Sequence, residues 1–105
     1  MIETLNALAE PNRLRMVELL REGALPVNAI VERMGLSQPL VSKHLRALSR
    51  AGLVTAERHA QQRIYRLAPG PFLELDGWTA TFRRLWEQRL DRLEDFLAGK
   101  GREAG

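Results

Sequence analysis

There is no cysteine anywhere in the 105 residues, and that single absence removes disulfides, thiolate nucleophiles, cysteine redox switches and thiolate metal sites together. Histidine is almost as scarce. His44 and His59 are the only two, neither has carboxylates at ligand spacing, and none lies between Phe72 and Gly105. No apolar stretch approaches the ~20 residues a membrane-spanning helix needs. Met1-Ile2-Glu3 also starts the chain without the basic region and apolar core of a signal peptide. A cytoplasmic protein with no membrane partner is expected. The chain also lacks low-complexity runs, internal repeats, a glycine-rich phosphate loop and any nucleophile-base-acid constellation. Neither catalysis nor a cofactor is expected from it.

What is present is an ordinary globular composition in a short chain, read as one domain over residues 1–105. A core of that size is modest, and dimerisation would relieve it. The net charge of +3 is small, but its distribution is uneven. Between Gln38 and Leu67 six basic residues (Lys43, Arg46, Arg50, Arg58, Arg63, Arg66) face one acid, Glu57, for a local net of +5. The remainder holds 10 basic and 12 acidic residues, a net of −2. Positive charge concentrated on one segment of a compact domain is the footprint of a polyanionic partner.

That segment has a definite grammar. Ser37 is a good N-cap, Pro39 falls in the first turn, and Gly52 sits where a left-handed residue would end a helix, so Ser37 to Gly52 reads as one bounded helix. Steps of about 100° per residue put Val41, Leu45 and Leu48 on one apolar stripe. Pro39, Lys43, Arg46 and Arg50 fall on the opposite side. Upstream, Ile30, Val31 and Met34 recur at helical spacing in Val27 to Met34, and Gly35-Leu36 makes a short turn between the two helices. Residues 27–51 thus read as a helix-turn-helix. Two β-prone runs within 53–67, Leu53 to Arg58 and Arg63 to Leu67, are joined by His59-Ala60-Gln61-Gln62 and read as a two-stranded wing.

Toward the N-terminus, Glu3 to Ala9 forms a short helix with an apolar edge of Ile2, Leu5, Leu8 and Ala9. Glu10-Pro11-Asn12 opens a second helix that ends at Gly23, with Leu14, Met16, Val17 and Leu20 facing inward. Ala24-Leu25-Pro26 is an extended link. After the wing, Ala68-Pro69-Gly70-Pro71 reads as a break that continues neither helix nor strand. A long helix then runs from Phe72 to Leu97, with Gly77 as a point of interruption and Lys100 to Gly105 as a frayed tail. Its stripe of Trp78, Phe82, Leu85, Trp86, Leu90, Leu93, Phe96 and Leu97 is about 30 Å long. So small a core cannot cover that length, and self-association is the economical use of it.

Four fragments in order carry a family resemblance: Ala7 to Leu20, Ser37 to Leu48, Ala51 to Val54 and Arg63 to Leu67. Together they resemble the ArsR/SmtB family of bacterial transcriptional repressors, and Trp78 to Glu94 is similar to its metal-independent, SdpR-like branch. The resemblance implies a mainly α, dimeric winged helix-turn-helix fold: four helices, a small β-hairpin and a fifth helix. It further implies repression through an inverted-repeat operator in double-stranded DNA. The family's metal sensors carry cysteines at the start of the third helix, where this chain has Pro26 and Asn28 within Leu25 to Ile30. Others bind zinc through histidines of the last helix, which has none here. No metal site is expected.

The DNA-facing residues expected on these grounds are Ser37, Gln38, Leu40, Ser42, Lys43, Arg46 and Arg50 of the helix, and His59, Gln61, Gln62 and Arg63 of the wing. Gln38 suits bidentate pairing with adenine. Lys43 suits a base edge or phosphate, and Arg46 a phosphate. Ser37 serves equally as a cap, and Leu40 packs in the core or meets a thymine methyl. His44 is read as a packed side chain, and Arg58 and Arg66 equally as solvated strand residues. Leu5 and Leu8 of the first helix, with Trp78, Phe82, Leu85, Trp86, Leu90, Leu93 and Leu97 of the last, form the expected homodimer interface. An inducer, whether small molecule or protein, is left open. A winged helix that binds only protein is the alternative, disfavoured by the basic face.

Overall fold

The computed structural model describes Met1 to Gly99 in full and the backbone of the last helix as far as Ala104. The chain divides into two compact units, Met1–Leu73 and the stretch from Glu74 onward. The first unit contains α1 (Ile2–Leu8), α2 (Pro11–Leu20), β1 (Leu25–Pro26), α3 (Val27–Met34), α4 (Gln38–Arg50), β2 (Val54–His59) and β3 (Gln62–Leu67). The second is formed by α5, which begins within the first unit and spans Pro69–Ala104.

Local chemistry sets most boundaries of the first unit. Glu10 caps α2 by accepting the Arg13 backbone N–H at 2.8 Å, and Pro11 occupies the first helical position, where no N–H is needed. Arg13 then ties α2 back to the end of α1, its Nε donating to the Ala7 carbonyl at 2.7 Å. Gly35, at φ 67°, ends α3 and lets three residues turn the chain into α4. At the other end of α4, Gly52 (φ 76°) donates to the Ser49 carbonyl and Leu53 to the Leu48 carbonyl, both at 3.0 Å. That is a Schellman closure, with Leu53 and Leu48 both fully buried as its apolar contact. It fixes where the wing departs from α4.

Met16, Ile30, Val41, Leu45, Leu48 and Leu53 are fully buried and form the centre of the core, with Val17, Leu20, Met34, Val54 and Tyr65 around them. The apolar stripe expected on α4 is therefore the part of the helix that holds it down. Leu14 departs from expectation. It is 46% exposed, because the inward stripe of α2 is carried by Met16, Val17 and Leu20.

The wing differs from expectation in two ways. Leu25 pairs with Tyr65 and Pro26 with Ile64, so the sheet has three antiparallel strands in the order β1-β3-β2 rather than two. Pro26 is tolerated because it lies on an edge strand, where a missing N–H goes unnoticed. The expected four-residue connection also contracts to two. His59 pairs with Gln62, leaving Ala60 and Gln61 as the turn, and Ala60 takes φ 56°, the only positive φ of a non-glycine residue described.

The break expected at Ala68-Pro69-Gly70-Pro71 is instead the start of α5. Pro69 and Pro71 fall in its first turn, where proline costs no hydrogen bond. The helix passes through Gly77 without interruption. Along its described length Trp78 and Phe82 meet edge to face at 5.1 Å, and the Arg89 guanidinium lies 5.1 Å over the Trp86 ring. Every member of the stripe from Trp78 to Leu97 is at least 41% exposed. Where a frayed tail was expected from Lys100, α5 continues to Ala104; Gly105 lies outside the described residues. Among the described residues no helix is long and apolar enough to cross a membrane.

Candidate nucleic-acid interface

The alternation of side chains along a strand, together with the register of the hairpin, decides what the wing presents to α4. Val54, Ala56 and Arg58 of β2 lie opposite Leu67, Tyr65 and Arg63 of β3, and all six share one face. Thr55, Glu57 and His59 share the other with Arg66, Ile64 and Gln62. The first face carries two arginines and no acid. The second holds the wing's only carboxylate, Glu57, which is 3.4 Å from Arg66 and 3.7 Å from His59.

The arginine face looks into a polar hollow of about 460 Å³ between α4 and the wing. From α4 the hollow takes Gln38, Ser42, Arg46 and Ser49, from the wing Ala56, Arg63 and Tyr65, and from the start of α3 Val27. A second hollow adjoins it, sharing Val27, Ala56 and Arg63 and adding Arg58 and Gln61. The two make one continuous concave surface. Gln38, Ser42, Arg46 and Ser49 are spaced four, four and three apart, the interval that keeps them on a single helical face.

Several expected residues are thereby brought together: Gln38, Ser42, Arg46, Gln61 and Arg63 all line this surface. Lys43 is exposed on the outer side of α4, clear of the hollow. The Ser37 hydroxyl accepts the Leu40 backbone N–H at 3.4 Å, so it caps the helix. Leu40 is half-buried. Arg50 is not part of the group; it lines a separate hollow with Glu3, Asn6, Ala7, Arg13, Ala47 and Ala51. His59 and Gln62 lie on the opposite face of the wing. Arg58, which the sequence left open between the basic patch and a solvated strand position, lines this surface, as does Ser49, which the sequence did not single out. The signal for Arg58 was its place at the edge of the expected connection, directly opposite Arg63 at the other edge, together with the alternation that puts both on one face.

The electrostatics of the surface are unbalanced. Among the described residues none of Lys43, Arg46, Arg58 and Arg63 makes an ion pair. Arg58 and Arg63 are directly opposed across the strands, and like charges so placed are destabilising. A fold that sets two guanidiniums against each other and directs a third toward them is matched by a ligand that supplies negative charge at several points. Nucleic-acid phosphate has that character. The hydroxyl and amide groups of Ser42, Ser49 and Gln38 beside the guanidiniums add hydrogen-bonding capacity suited to base edges.

Residues 10–56, which contain α2, α3, α4 and the first half of β2, match the family described as bacterial regulatory protein, arsR family. The HTH-type transcriptional repressor SmtB of Mycobacterium tuberculosis is 47% identical over 66 residues, a match covering 63% of this chain and 49% of that protein. The chain thus spans about half the length of this curated relative. Among solved structures, a possible transcriptional regulator for arsenical resistance superposes with a TM-score of 0.68 at 39% identity, covering 89% of this chain and 94% of that one. The homodimeric winged helix-turn-helix DNA-binding domain of a Mycobacterium bovis protein, described as a possible ArsR-family transcriptional regulator, gives 0.66 at 30% identity. That match covers 79% of this chain and 77% of the other.

Proposed function

The chain belongs to the ArsR family of bacterial regulatory proteins, and from that premise we propose that it is a DNA-binding transcriptional repressor that works as a homodimer without sensing metal. The observation that carries this reading is the acid-free surface on which Arg46, Arg58 and Arg63 converge with Gln38 and Ser42. On duplex DNA, α4 enters the major groove with Gln38 and Ser42 toward base edges, while the guanidiniums of helix and wing take the flanking phosphates. Lys43, on the outer side of the same helix, serves the phosphate of the far groove wall.

Dimerisation supplies the second half-site. The exposed stripe of α5, Trp78 to Leu97, is the main contact, and Leu5 and Leu8 of α1 add to it. The solved Mycobacterium bovis relative is itself homodimeric. Two recognition helices then meet an inverted repeat in major grooves about 34 Å apart, and occupancy of a promoter prevents transcription. Independence from metal is supported by the cysteine-free sequence, by Pro26 and Asn28 at the start of α3, and by a histidine-free last helix.

The test is binding of the full chain to duplex DNA selected from a random pool, measured across a salt series. Neutralising each phosphate contact contributes about −0.9 to the slope of log K against log salt. Arg63→Ala, which removes one contact from each protomer of the dimer, is expected to flatten that slope by about two units. A wild-type slope near zero, or an unchanged slope in the variant, overturns the assignment of this surface and favours a module that binds protein.

A further inference from the structure

His44 is the one polar side chain of α4 that is buried. It lies on the inner side of α4, 7% exposed, beside Val41, Leu45 and Leu48. A buried imidazole nitrogen ordinarily has a partner. The Nδ1 atom of His44 is closed off from solvent and makes no hydrogen bond, and a carboxylate oxygen, Glu10 Oε2, stands 3.6 Å from it. That distance is just beyond hydrogen-bond length. The other ring nitrogen, Nε2, is not enclosed in this way.

Glu10 is held in place by something else. The same Oε2 accepts the Arg13 backbone N–H at 2.8 Å as the cap of α2, and a carboxylate oxygen has a second lone pair to offer. Burial alone would raise the Glu10 pKa. The N–H groups of Arg13 and Asn12, with the neighbouring imidazole of His44 and the charge of Arg13, outweigh it and hold the carboxyl below its ordinary value. It is therefore an acceptor at neutral pH. The nearest competing cation is occupied elsewhere, since the Arg13 guanidinium donates to the Ala7 carbonyl at 2.7 Å and the Asn6 carbonyl at 3.4 Å. Glu3 and Arg50 line the hollow on the far side of Arg13. A fixed acceptor and a buried, partnerless nitrogen thus face each other across the α2–α4 contact.

We propose that Glu10 and His44 are a positioning pair: His44, held as its Nδ1–H tautomer, donates to Glu10 Oε2 and fixes the recognition helix α4 on the N-terminal cap of α2. The tautomer follows from the partner, because a carboxylate at Nδ1 selects a proton on that nitrogen. The apolar stripe of α4 sets its depth in the core, and apolar contacts are non-directional. A hydrogen bond between fixed atoms is directional and sets the rotation of the helix about its own axis. Rotation matters because Gln38, Ser42 and Arg46 all project from that axis toward the wing. The functional half of the proposal rests on the reading of α4 as the DNA-contacting helix; the pairing does not.

Two measurements separate these halves. The first is a long-range proton–nitrogen spectrum of the imidazoles in the uniformly ¹⁵N-labelled full chain. Only two histidines contribute, and the set of signals lost in His44→Asn belongs to His44. A protonated Nδ1 is expected; a proton on Nε2 with Nδ1 bare overturns the pairing. The second compares DNA affinity in two variants at equal folded fraction. His44→Asn keeps an N–H donor at the position of Nδ1, whereas His44→Leu keeps bulk alone. Losing a hydrogen bond to a charged group predicts DNA binding roughly tenfold weaker for His44→Leu, with His44→Asn restored to near the wild-type value. Equal losses in both variants overturn the positioning role. The spectrum is recorded on the wild-type chain, so it decides the pairing even if His44→Leu does not fold. A wild-type chain that shows protonated Nδ1 but binds no DNA sinks the DNA-binding reading while leaving the pairing standing.

Discussion

Replacing Arg58 by Gln should make the protein more stable and worse at its task, and the opposite signs are what make the substitution informative. Arg58 and Arg63 are directly paired across β2 and β3, so their Cβ atoms lie about 5 Å apart. Two unit charges at that separation repel by roughly 0.8 kcal/mol in water. The guanidiniums can splay outward, so the realised gain on neutralising one lies within about 0.2–1 kcal/mol. For a domain of this size a gain of ~0.5 kcal/mol raises the melting midpoint by about 2–4 °C. Gln keeps the length and donor capacity of the side chain, so little packing is lost. On DNA, one fewer phosphate contact in each protomer of the dimer flattens the log K against log salt slope by about 1.8, which at 0.15 M salt is about a 30-fold loss of affinity. Thermal melts at fixed protein concentration and anisotropy titrations over a salt series read the two effects. A variant that melts lower than wild type, or one that binds DNA with an unchanged slope, refutes the argument that the wing stores repulsion to be relieved by phosphate.

Other expectations follow from single features. Ala60 holds a positive φ of 56° at the wing turn, a conformation that costs an L-residue roughly 1–2 kcal/mol; Ala60→Gly should stabilise the chain by up to about 1 kcal/mol in chemical denaturation, and a loss of stability would show the turn is not strained. Trp86 is 56% exposed on α5; Trp86→Ala should weaken the dimer by ~2 kcal/mol, about 30-fold, as truncation of an aromatic anchor does, and sedimentation equilibrium that finds no change removes α5 from the interface. Glu10, whose pKa is depressed in the fold, contributes stability above its unfolded value of about 4.3, and that contribution disappears as pH falls through the lower folded value. The stability difference between wild type and Glu10→Gln should therefore shrink on acidification below about pH 4, and a difference that stays constant would mean the carboxylate's charge is not what Gln lacks.

The parts of the fold that were legible in the sequence are those whose causes are local. Ser37, Pro39 and Gly52 bound α4 through capping chemistry that acts within a few residues, and Val41, Leu45 and Leu48 mark its buried side by spacing alone. Glu10-Pro11 announced α2 in the same way. The features that escaped depend on partners distant in the chain. Leu25-Pro26 reads as a link until β3 is there to pair with it, and Leu14 reads as core until Met16 and Val17 are seen to fill the space. Pro69 and Pro71 resemble a break because proline both ends one helix and begins the next, and only the following residues decide which. The wing turn was misjudged for a different reason: nothing in Ala60 itself signals a positive φ, which the register of six paired residues on each strand imposes. The pairing of Arg58 with Arg63 is the same for either loop length, and what the sequence left open was which face of the wing that pair presents to α4. His44 was read correctly as a packed residue, but its pairing with Glu10 spans more than thirty residues and leaves no trace in local pattern.

The most direct test of the account is an anisotropy titration of the purified full chain on a duplex carrying the inverted repeat selected from a random pool, at several salt concentrations, with and without EDTA. The account predicts saturation at two protomers per site, affinity that falls steeply with salt, and curves that superpose whether or not the chelator is present. Binding that is indifferent to salt, that saturates at one protomer, or that appears or vanishes on chelation would contradict it.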